Sequence, residues 1–351
     1  MVVFVGKSIR RRFCVLPAYC ILLACIVCDP AAAQSDIQQA SARLSFVRAF
    51  SSADDVRRPL HPVLDRTLDI LAGSKDPDLR VGGLQSPSAL ATDSNERVFV
   101  ADPSAKAVHI FDFTHSKYSV LEKGSDRLSV PVSLAVDGQD NLYVSDKLSG
   151  TILIYDSAGK FRHSLGTLSG GESYFESPAG IAIDGTTGRI YVCDTRRHMV
   201  IVMDGRGRLV AKAGKRGGGD RPGEFTLPSQ AVIAAGELFV LDAGNARIQI
   251  LDTALHFRRA ISLAYADHRT GLAVDAQSNI YVSDPVLNRI EIFSHEGRLL
   301  YTFDPSTITD ANFSHPSTMW ISAGSCLYVV DSQSNRVGLF QIRGNDNREC
   351  R

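Results

Sequence analysis

The sequence predicts an all-β protein that folds as a six-bladed β-propeller. A five-residue phrase, made of an aliphatic residue, Phe or Tyr, Val, a variable residue and Asp, occurs six times. Its copies end at Asp102, Asp146, Asp194, Asp242, Asp284 and Asp331. These aspartates are 44, 48, 48, 42 and 47 residues apart, which is the length of one propeller blade. Short apolar runs bounded by Gly, Asn and Asp flank each copy, as is typical of antiparallel strands and turns.

The first 33 residues have the pattern of a signal peptide. Four basic residues precede the apolar stretch Phe13–Val27, whose length of about 15 residues is below the roughly 20 that a membrane-spanning helix needs. Three alanines ending at Ala33 provide a small-residue cleavage site, so we expect an exported protein that is periplasmic or secreted. Two alternatives stay open: an uncleaved anchor, or a lipobox ending at Cys25 that would make the protein a membrane-anchored lipoprotein.

Each repeat is expected to form one four-stranded antiparallel blade, and the fifth repeat shows the pattern most clearly. Its predicted strands are Thr270–Val274, Asn279–Ser283, Arg289–Phe293 and Arg298–Thr302. The other repeats have the same order of apolar runs. The sixth repeat stops after its third run, so its fourth strand has to come from elsewhere in the chain.

We predict that an N-terminal strand, Thr67–Ala72, completes the sixth blade. This segment resembles the fourth strand predicted at Leu209–Gly214, and both precede a loop that ends in Pro before the next first strand. Closure of this kind hides two sheet edges that would otherwise promote aggregation. For Ser45–Phe50 two interpretations remain open, an extra outer strand or a strap across the blades. The predicted organisation is a signal peptide (1–33), an N-terminal extension (34–66), the propeller (67–343) and a C-terminal tail (344–351).

Cleavage after Ala33 leaves three cysteines, Cys193, Cys326 and Cys350. Cys326 opens the second strand of the last blade, and the antiparallel third strand finishes beside it. We therefore predict a Cys326–Cys350 disulfide, which an exported protein can keep, and which would pin the tail to the blade that closes the ring. Cys193 lies inside a strand and is expected to be an inert core residue.

The repeats resemble the NHL repeat family over about residues 67–343. The resemblance lies in the Pro-containing first strand Ser177–Asp184, the Tyr-Val-x-Asp strand, Asn-Arg before the third strand and the glycine-rich loop Gly214–Phe225. The first two copies lack the Asn-Arg pair. The resemblance implies the propeller fold but no single activity, because relatives include RNA- or protein-binding modules, peptidylglycine amidating lyases and exported bacterial proteins. The leader favours the exported bacterial type.

Several cations are expected on the face that carries the loops between second and third strands. They are Arg196, Arg197, His198, Arg247, Arg289 and Arg336. Such a face suits an anionic partner. The alternative is structural, because three of the arginines follow a phrase-ending aspartate by five residues, and an ion pair across the short loop would set its shape.

His268 and His315 provide an alternative hypothesis, a metal site. Both precede first strands on the side where the channel opens, and two imidazoles with a third ligand can bind zinc. No third histidine occupies the matching position of another blade. Calcium is a second option, through the aspartates that end first strands, although blades four and six have Ala235 and Ala323 there and structural turns explain these aspartates equally.

Composition limits the functions to be considered. Hydrophobic content is 44%, which suits one globular domain with a real core, and the formal net charge of zero argues against nucleic acid as a partner. The leading prediction is a non-catalytic extracytoplasmic module, without a cofactor, that binds a protein or an anionic glycan through its loop face. A membrane partner follows only from lipidation at Cys25. The alternatives are a metal-dependent lyase or hydrolase with Zn or Ca at the channel mouth, and a ring that carries a small molecule in its channel.

Overall fold

A computed structural model describes residues 44–56, 83–121, 128–168, 170–171, 173–307, 313–343 and 350. The predicted signal peptide, the lipidation site at Cys25 and the segment 67–72 lie outside these residues. The described part of the chain is all-β, with strands joined by turns and a few short 3₁₀ segments. It contains no helix that is both long enough and apolar enough to cross a bilayer.

Six four-stranded antiparallel sheets form the predicted six-bladed propeller. The first, innermost strands are β2 Ala89–Thr92, β6 Pro131–Val136, β10 Pro178–Ile183, β14 Pro228–Ala234, β18 Leu272–Val274 and β22 Pro316–Ile321. The second strands are β3 Val98–Asp102, β7 Leu142–Asp146, β11 Ile190–Asp194, β15 Glu237–Asp242, β19 Ile280–Asp284 and β23 Cys326–Asp331. The third strands are β4 Ala107–Asp112, β8 Thr151–Tyr155, β12 Met199–Met203, β16 Arg247–Asp252, β20 Arg289–Phe293 and β24 Arg336–Ile342. The fourth, outermost strands are β5 Lys117–Val120, β9 Phe161–Leu165, β13 Leu209–Gly214, β17 Phe257–Ser262, β21 Leu299–Phe303 and β1 Leu44–Phe50.

The core lies between neighbouring blades, and the residues of the repeated phrase form much of it. All five residues of each phrase are buried, because a second strand packs against another blade on each of its two faces. The aromatic position of the phrase is fully or nearly fully buried in every blade. Fourth strands are less buried than second strands, and every residue of β13 is exposed or half-buried.

An N-terminal strand closes blade six, as predicted, but the strand is β1. It pairs antiparallel with β24, from Leu44 opposite Ile342 to Phe50 opposite Val337. This position corrects the assignment of the closing strand to Thr67–Ala72. The physical reason lies in the aromatic side chains of β1. The ring of Phe50 lies 4.8 Å from that of Phe111 in blade one, which anchors β1 across the junction of the first and last blades.

Hydrogen bonds between first strands also join the two ends of the ring. Thr318 Oγ1 of blade six donates to the Ser88 carbonyl of blade one at 2.7 Å, and Trp320 Nε1 donates to Thr92 Oγ1 at 2.9 Å. These contacts connect residues that are 230 and 228 positions apart in the chain. The circle is therefore closed on the channel side as well as at the outer edge.

Cys326 and Cys350 form a disulfide, the pair expected from the sequence. The backbone N–H of Cys350 also donates to Gln341 Oε1 at 2.7 Å, so the end of the chain is held against blade six by two contacts. Cys193 is fully buried, and burial raises the pKa of its thiol. A thiol in this setting is a small apolar core residue and not a nucleophile.

Candidate binding face and central channel

One end of the ring carries two sets of loops and is called the loop face. Strand direction alternates within a blade, so links from second to third strands lie at the same end as links from a fourth strand to the next blade. The links between second and third strands are 103–106, 147–150, 195–198, 243–246, 285–288 and 332–335. The first strands begin at this end, so the channel also opens here.

The aspartate that ends each phrase holds the loop face in shape. The buried carboxylate of Asp102 accepts backbone N–H groups from Gln85 at 2.6 Å, Ser86 at 3.1 Å and Ala105 at 3.0 Å. Equivalent bonds to backbone N–H groups of loops are made by Asp146, Asp194, Asp242, Asp284 and Asp331. A repeated buried carboxylate is thus explained by the loop conformations it fixes.

Four of the six predicted binding cations form ion pairs with these aspartates. The pairs are Arg197 with Asp194 at 3.6 Å, Arg247 with Asp242 at 2.8 Å, Arg289 with Asp284 at 3.6 Å, and Arg336 with Asp331 at 3.1 Å. Arg247 also donates to the carbonyls of Asp220 and Glu224, at 2.6 and 2.9 Å, and so clamps the glycine-rich loop. This geometry supports the structural alternative for these arginines. Their role in binding an anion stays a prediction.

Arg196 and His198 differ from these four residues. Arg196 is exposed, and it has no ion pair with any residue that the structure describes. His198 ends a 3₁₀ turn in the left-handed conformation, with φ of 57°, and its Nδ1 accepts the backbone N–H of Leu227 at 3.0 Å. His198 therefore positions the next loop, and Arg196 is the member of the predicted set whose charge faces solvent.

Blade one has a buried histidine where later blades have other side chains. His109 is 1% exposed, its Nδ1 lies 2.7 Å from Tyr118 Oη, and its Nε2 lies 3.7 Å from Asp102 Oδ2. Burial lowers the pKa of His109 more than Asp102 raises it. The sequence reasoning missed this residue, although a histidine inside the apolar run Ala107–Asp112 was a usable signal.

His109 predicts a loss of stability on mild acidification. Because its pKa is lowered in the folded protein, the unfolded chain binds the proton at a higher pH. The contribution of neutral His109 to the free energy of unfolding is therefore fully present above the unfolded pKa of about 6.5. It decreases as the pH falls from there through the folded pKa. We expect urea denaturation at about pH 7 and about pH 5 to show a smaller decrease for His109→Gln than for the wild type.

His163→Gln is the matched control, because His163 is an exposed residue of a fourth strand. It should keep the pH dependence of the wild type. Glu291, whose pKa is raised by burial, contributes with the opposite sign but is common to all three proteins. An unchanged pH dependence in the His109 variant would contradict the assignment.

A cavity of about 440 Å³ occupies the channel and is lined by first strands from all six blades. It reaches the loop face beside Lys147, Leu227, Asp267 and His268. Asp267 is paired with Arg269 at 3.0 Å and accepts the Tyr265 hydroxyl at 2.9 Å. No ion pair joins Lys147 or His268 to another of the described residues.

The two histidines of the metal hypothesis lie in different surroundings. His268 lines the channel mouth. The His315 backbone donates to Asn288 Oδ1 at 2.8 Å, and its carbonyl accepts the Ser332 hydroxyl at 3.0 Å. Within the described ranges, no three His, Cys, Asp or Glu side chains form a group that could hold a metal ion. The metal-dependent alternative, with zinc or calcium at the channel mouth, stays a prediction.

Exposed apolar side chains on the loop face were not anticipated from the sequence. The most exposed are Leu148 at 73%, Val286 at 59% and Leu287 at 56%. The full set, here called the apolar rim, is Leu148, Leu168, Leu227, Tyr265, Val286 and Leu287. These residues lie in links from blade two to blade five. The available signal was the composition of two short links, Lys-Leu-Ser-Gly in repeat two and Pro-Val-Leu-Asn in repeat five.

Residues 175–203 match the NHL repeat family. A curated relative, the protein brain tumor of Drosophila melanogaster, is 27% identical over 135 residues. The matched part covers 38% of this chain and 13% of that protein. The chain therefore corresponds to a small part of this relative.

Two solved structures show the similarity of the fold. A Bacteroides thetaiotaomicron protein of unknown function has a TM-score of 0.58 at 14% identity, covering 75% of this chain and 71% of that one. Virginiamycin B lyase from Staphylococcus aureus has a TM-score of 0.53 at 13% identity, covering 74% of this chain and 85% of that one. At these identities the comparison concerns the fold alone.

Proposed function

We propose that this NHL-repeat six-bladed β-propeller is a non-catalytic interaction module that binds a partner protein through its apolar rim. The observation that carries the proposal is the exposure of large apolar side chains on one end of a rigid ring. Several large apolar side chains exposed at the same end of a molecule are typical of protein–protein contact sites. Loops fixed by a stable scaffold are also where binding residues are commonly placed. Propellers of this family typically bind proteins.

The charges of the loop face favour a protein over an anionic glycan. Four of the six predicted cations are paired with buried aspartates and contribute little free positive charge. The exposed cations of the loop-face links that have no ion pair with a described residue are Lys106, Lys147, Arg196 and Arg221, and they would remain for an acidic partner. Charges around an apolar contact mainly affect the rate and selectivity of association. Binding of an anionic glycan is therefore the competing outcome of the experiment below.

We place the module outside the cytoplasm, in the periplasm, in the medium or on a membrane through a lipid on Cys25. The support is the predicted leader at residues 1–33 together with the Cys326–Cys350 disulfide, since disulfides persist in oxidising compartments. The mass of the mature N-terminus distinguishes cleavage after Ala33 from lipidation at Cys25.

Acidic substitutions in the apolar rim are expected to weaken partner binding strongly. A displayed random-peptide library is selected on the wild-type protein, and the enriched peptides are measured on the variant Leu148→Asp, Val286→Asp, Leu287→Asp. We expect affinity to fall at least about tenfold, because charges placed in the core of an apolar contact must be desolvated. The substituted side chains are exposed, so the thermal unfolding midpoint should change little.

The matched control carries Leu209→Asp and Leu299→Asp, two residues of outer strands that are each 49% exposed. It should bind the selected peptides like the wild type. Equal loss in both variants would show that general stickiness, and not the rim, captures the peptides. Enrichment of acidic peptides that are lost on Arg196→Gln would favour the anionic-partner form instead.

A further inference from the structure

Most polar side chains that line the channel are already engaged in contacts between blades, whereas the buried Ser229 Oγ has no hydrogen-bond partner among the described residues. Ser88 Oγ donates to the Pro131 carbonyl at 3.3 Å, and Thr195 Oγ1 donates to the Pro228 carbonyl at 2.8 Å. Gln230 bonds to the backbone of blade five through both its amide nitrogen and its amide oxygen. Polar groups satisfied in this way offer little to a polar ligand.

The remaining lining of the channel is largely aliphatic. It includes Leu90, Leu134, Ile181, Ala231, Leu272 and Met319. The cavity of about 440 Å³ lies within the roughly 300–1,000 Å³ that is usual for small-molecule sites. An apolar ligand of this size would gain free energy by leaving water for such a wall.

The mouth of the channel presents one ammonium group and one imidazole, neither of them paired with a described residue. They belong to Lys147 in blade two and His268 before blade five, which both line the opening. The neighbouring carboxylate of Asp267 is neutralised by Arg269 at 3.0 Å. Blades two and five lie opposite each other in a ring of six, so these two side chains approach the opening from opposite sides.

We propose that the channel binds a small amphipathic monoanion, with its apolar body among the first strands and its carboxylate at Lys147 and His268. This inference goes beyond protein binding on the apolar rim, because it uses the interior of the ring. The ligand class follows from the aliphatic wall and from the unpaired charge at a single end.

The chain contains one tryptophan, and Trp320 lines the cavity, so its fluorescence reports on channel occupancy. Decanoate serves as the probe, and decanol serves as its uncharged counterpart. We expect decanoate to change Trp320 emission in a saturable way and to bind at least about tenfold more tightly than decanol. Lys147→Gln should weaken decanoate binding about fivefold, whereas Lys160→Gln, on an exposed turn at the opposite end of the same blade, should have no effect.

Ala179→Phe places a ring in the cavity and should abolish decanoate binding. If this variant does not fold, Val132→Phe fills the same space from blade two. An uncharged rim variant, Val286→Ser with Leu287→Ser, should lose affinity for the selected peptides but bind decanoate like the wild type, which separates this proposal from the previous one. Absence of a saturable change, equal affinity for decanol, or unchanged binding in a folded Phe variant would each overturn the proposal.

Discussion

Replacing Phe340 by alanine is expected to lower the free energy of unfolding by about 3–5 kcal/mol. Phe340 is fully buried in β24 and contacts three other rings edge-on, at centroid distances of 5.6 Å to Phe46, 5.7 Å to Phe303 and 5.6 Å to Phe313. These rings come from β1, from the fourth strand of blade five and from the link that follows it. The substitution therefore leaves a void at the point where the two ends of the chain meet.

Urea denaturation followed by circular dichroism measures this effect. The control is Phe161→Ala, a partly exposed ring in an outer strand that contacts Tyr155 at 5.7 Å. We expect a smaller cost of about 2 kcal/mol, because this ring is only partly enclosed. Equal costs for the two substitutions would contradict the view that the β1–β24 junction is a principal source of stability.

Replacing Asp242 by alanine is expected to cost about 3–5 kcal/mol of unfolding free energy. Its buried carboxylate accepts the Thr226 backbone N–H at 2.6 Å, Asn245 Nδ2 at 2.8 Å, Arg247 Nε at 2.8 Å and Gln249 Nε2 at 3.2 Å. Removing the carboxylate leaves these donors unsatisfied and the guanidinium without its counter-charge. The glycine-rich loop, which Arg247 clamps, should lose its fixed conformation as well.

Chemical denaturation gives the stability change, and hydrogen exchange of residues 215–227 reports on the loop. Asp204→Ala is the control, since Asp204 also pairs with an arginine, Arg208, at 2.7 Å but at an exposed turn. Solvent screens that pair, so we expect little change in stability. A small effect of Asp242→Ala would mean that the phrase-ending aspartates are placed for a ligand and not for the loops.

Sequence reasoning succeeded where a physical constraint repeats. The blade period, the buried phrase and the aspartate–arginine spacing each recur several times, and one structural reason accounts for every copy. The Cys326–Cys350 pair could be predicted because antiparallel pairing places the start of β23 beside the end of β24. Features that recur are thus set by local pattern and by topology.

Reasoning from sequence failed where one position had to be chosen among similar ones. Outer strands have a weak sequence pattern, so similarity to Leu209–Gly214 led to the prediction that Thr67–Ala72 is the closing strand. The closing strand is β1, whose aromatic rings anchor it beside β24. The apolar rim was missed because loop composition does not reveal which side chains face solvent. The net charge at the channel mouth could not be predicted either, because the sequence does not show that Arg269 lies close enough to Asp267 to neutralise its carboxylate.

The direction of β1 determines how the molecule would sit on a surface. Leu44 pairs with Ile342, and Cys326 pairs with Gln341, so β1 begins beside the disulfide, at the end of the ring remote from the loops. An engineered tag joined directly before Leu44 would therefore be attached at the end of the ring opposite the loop face. Immobilisation through such a tag should leave the loop face accessible to binding partners.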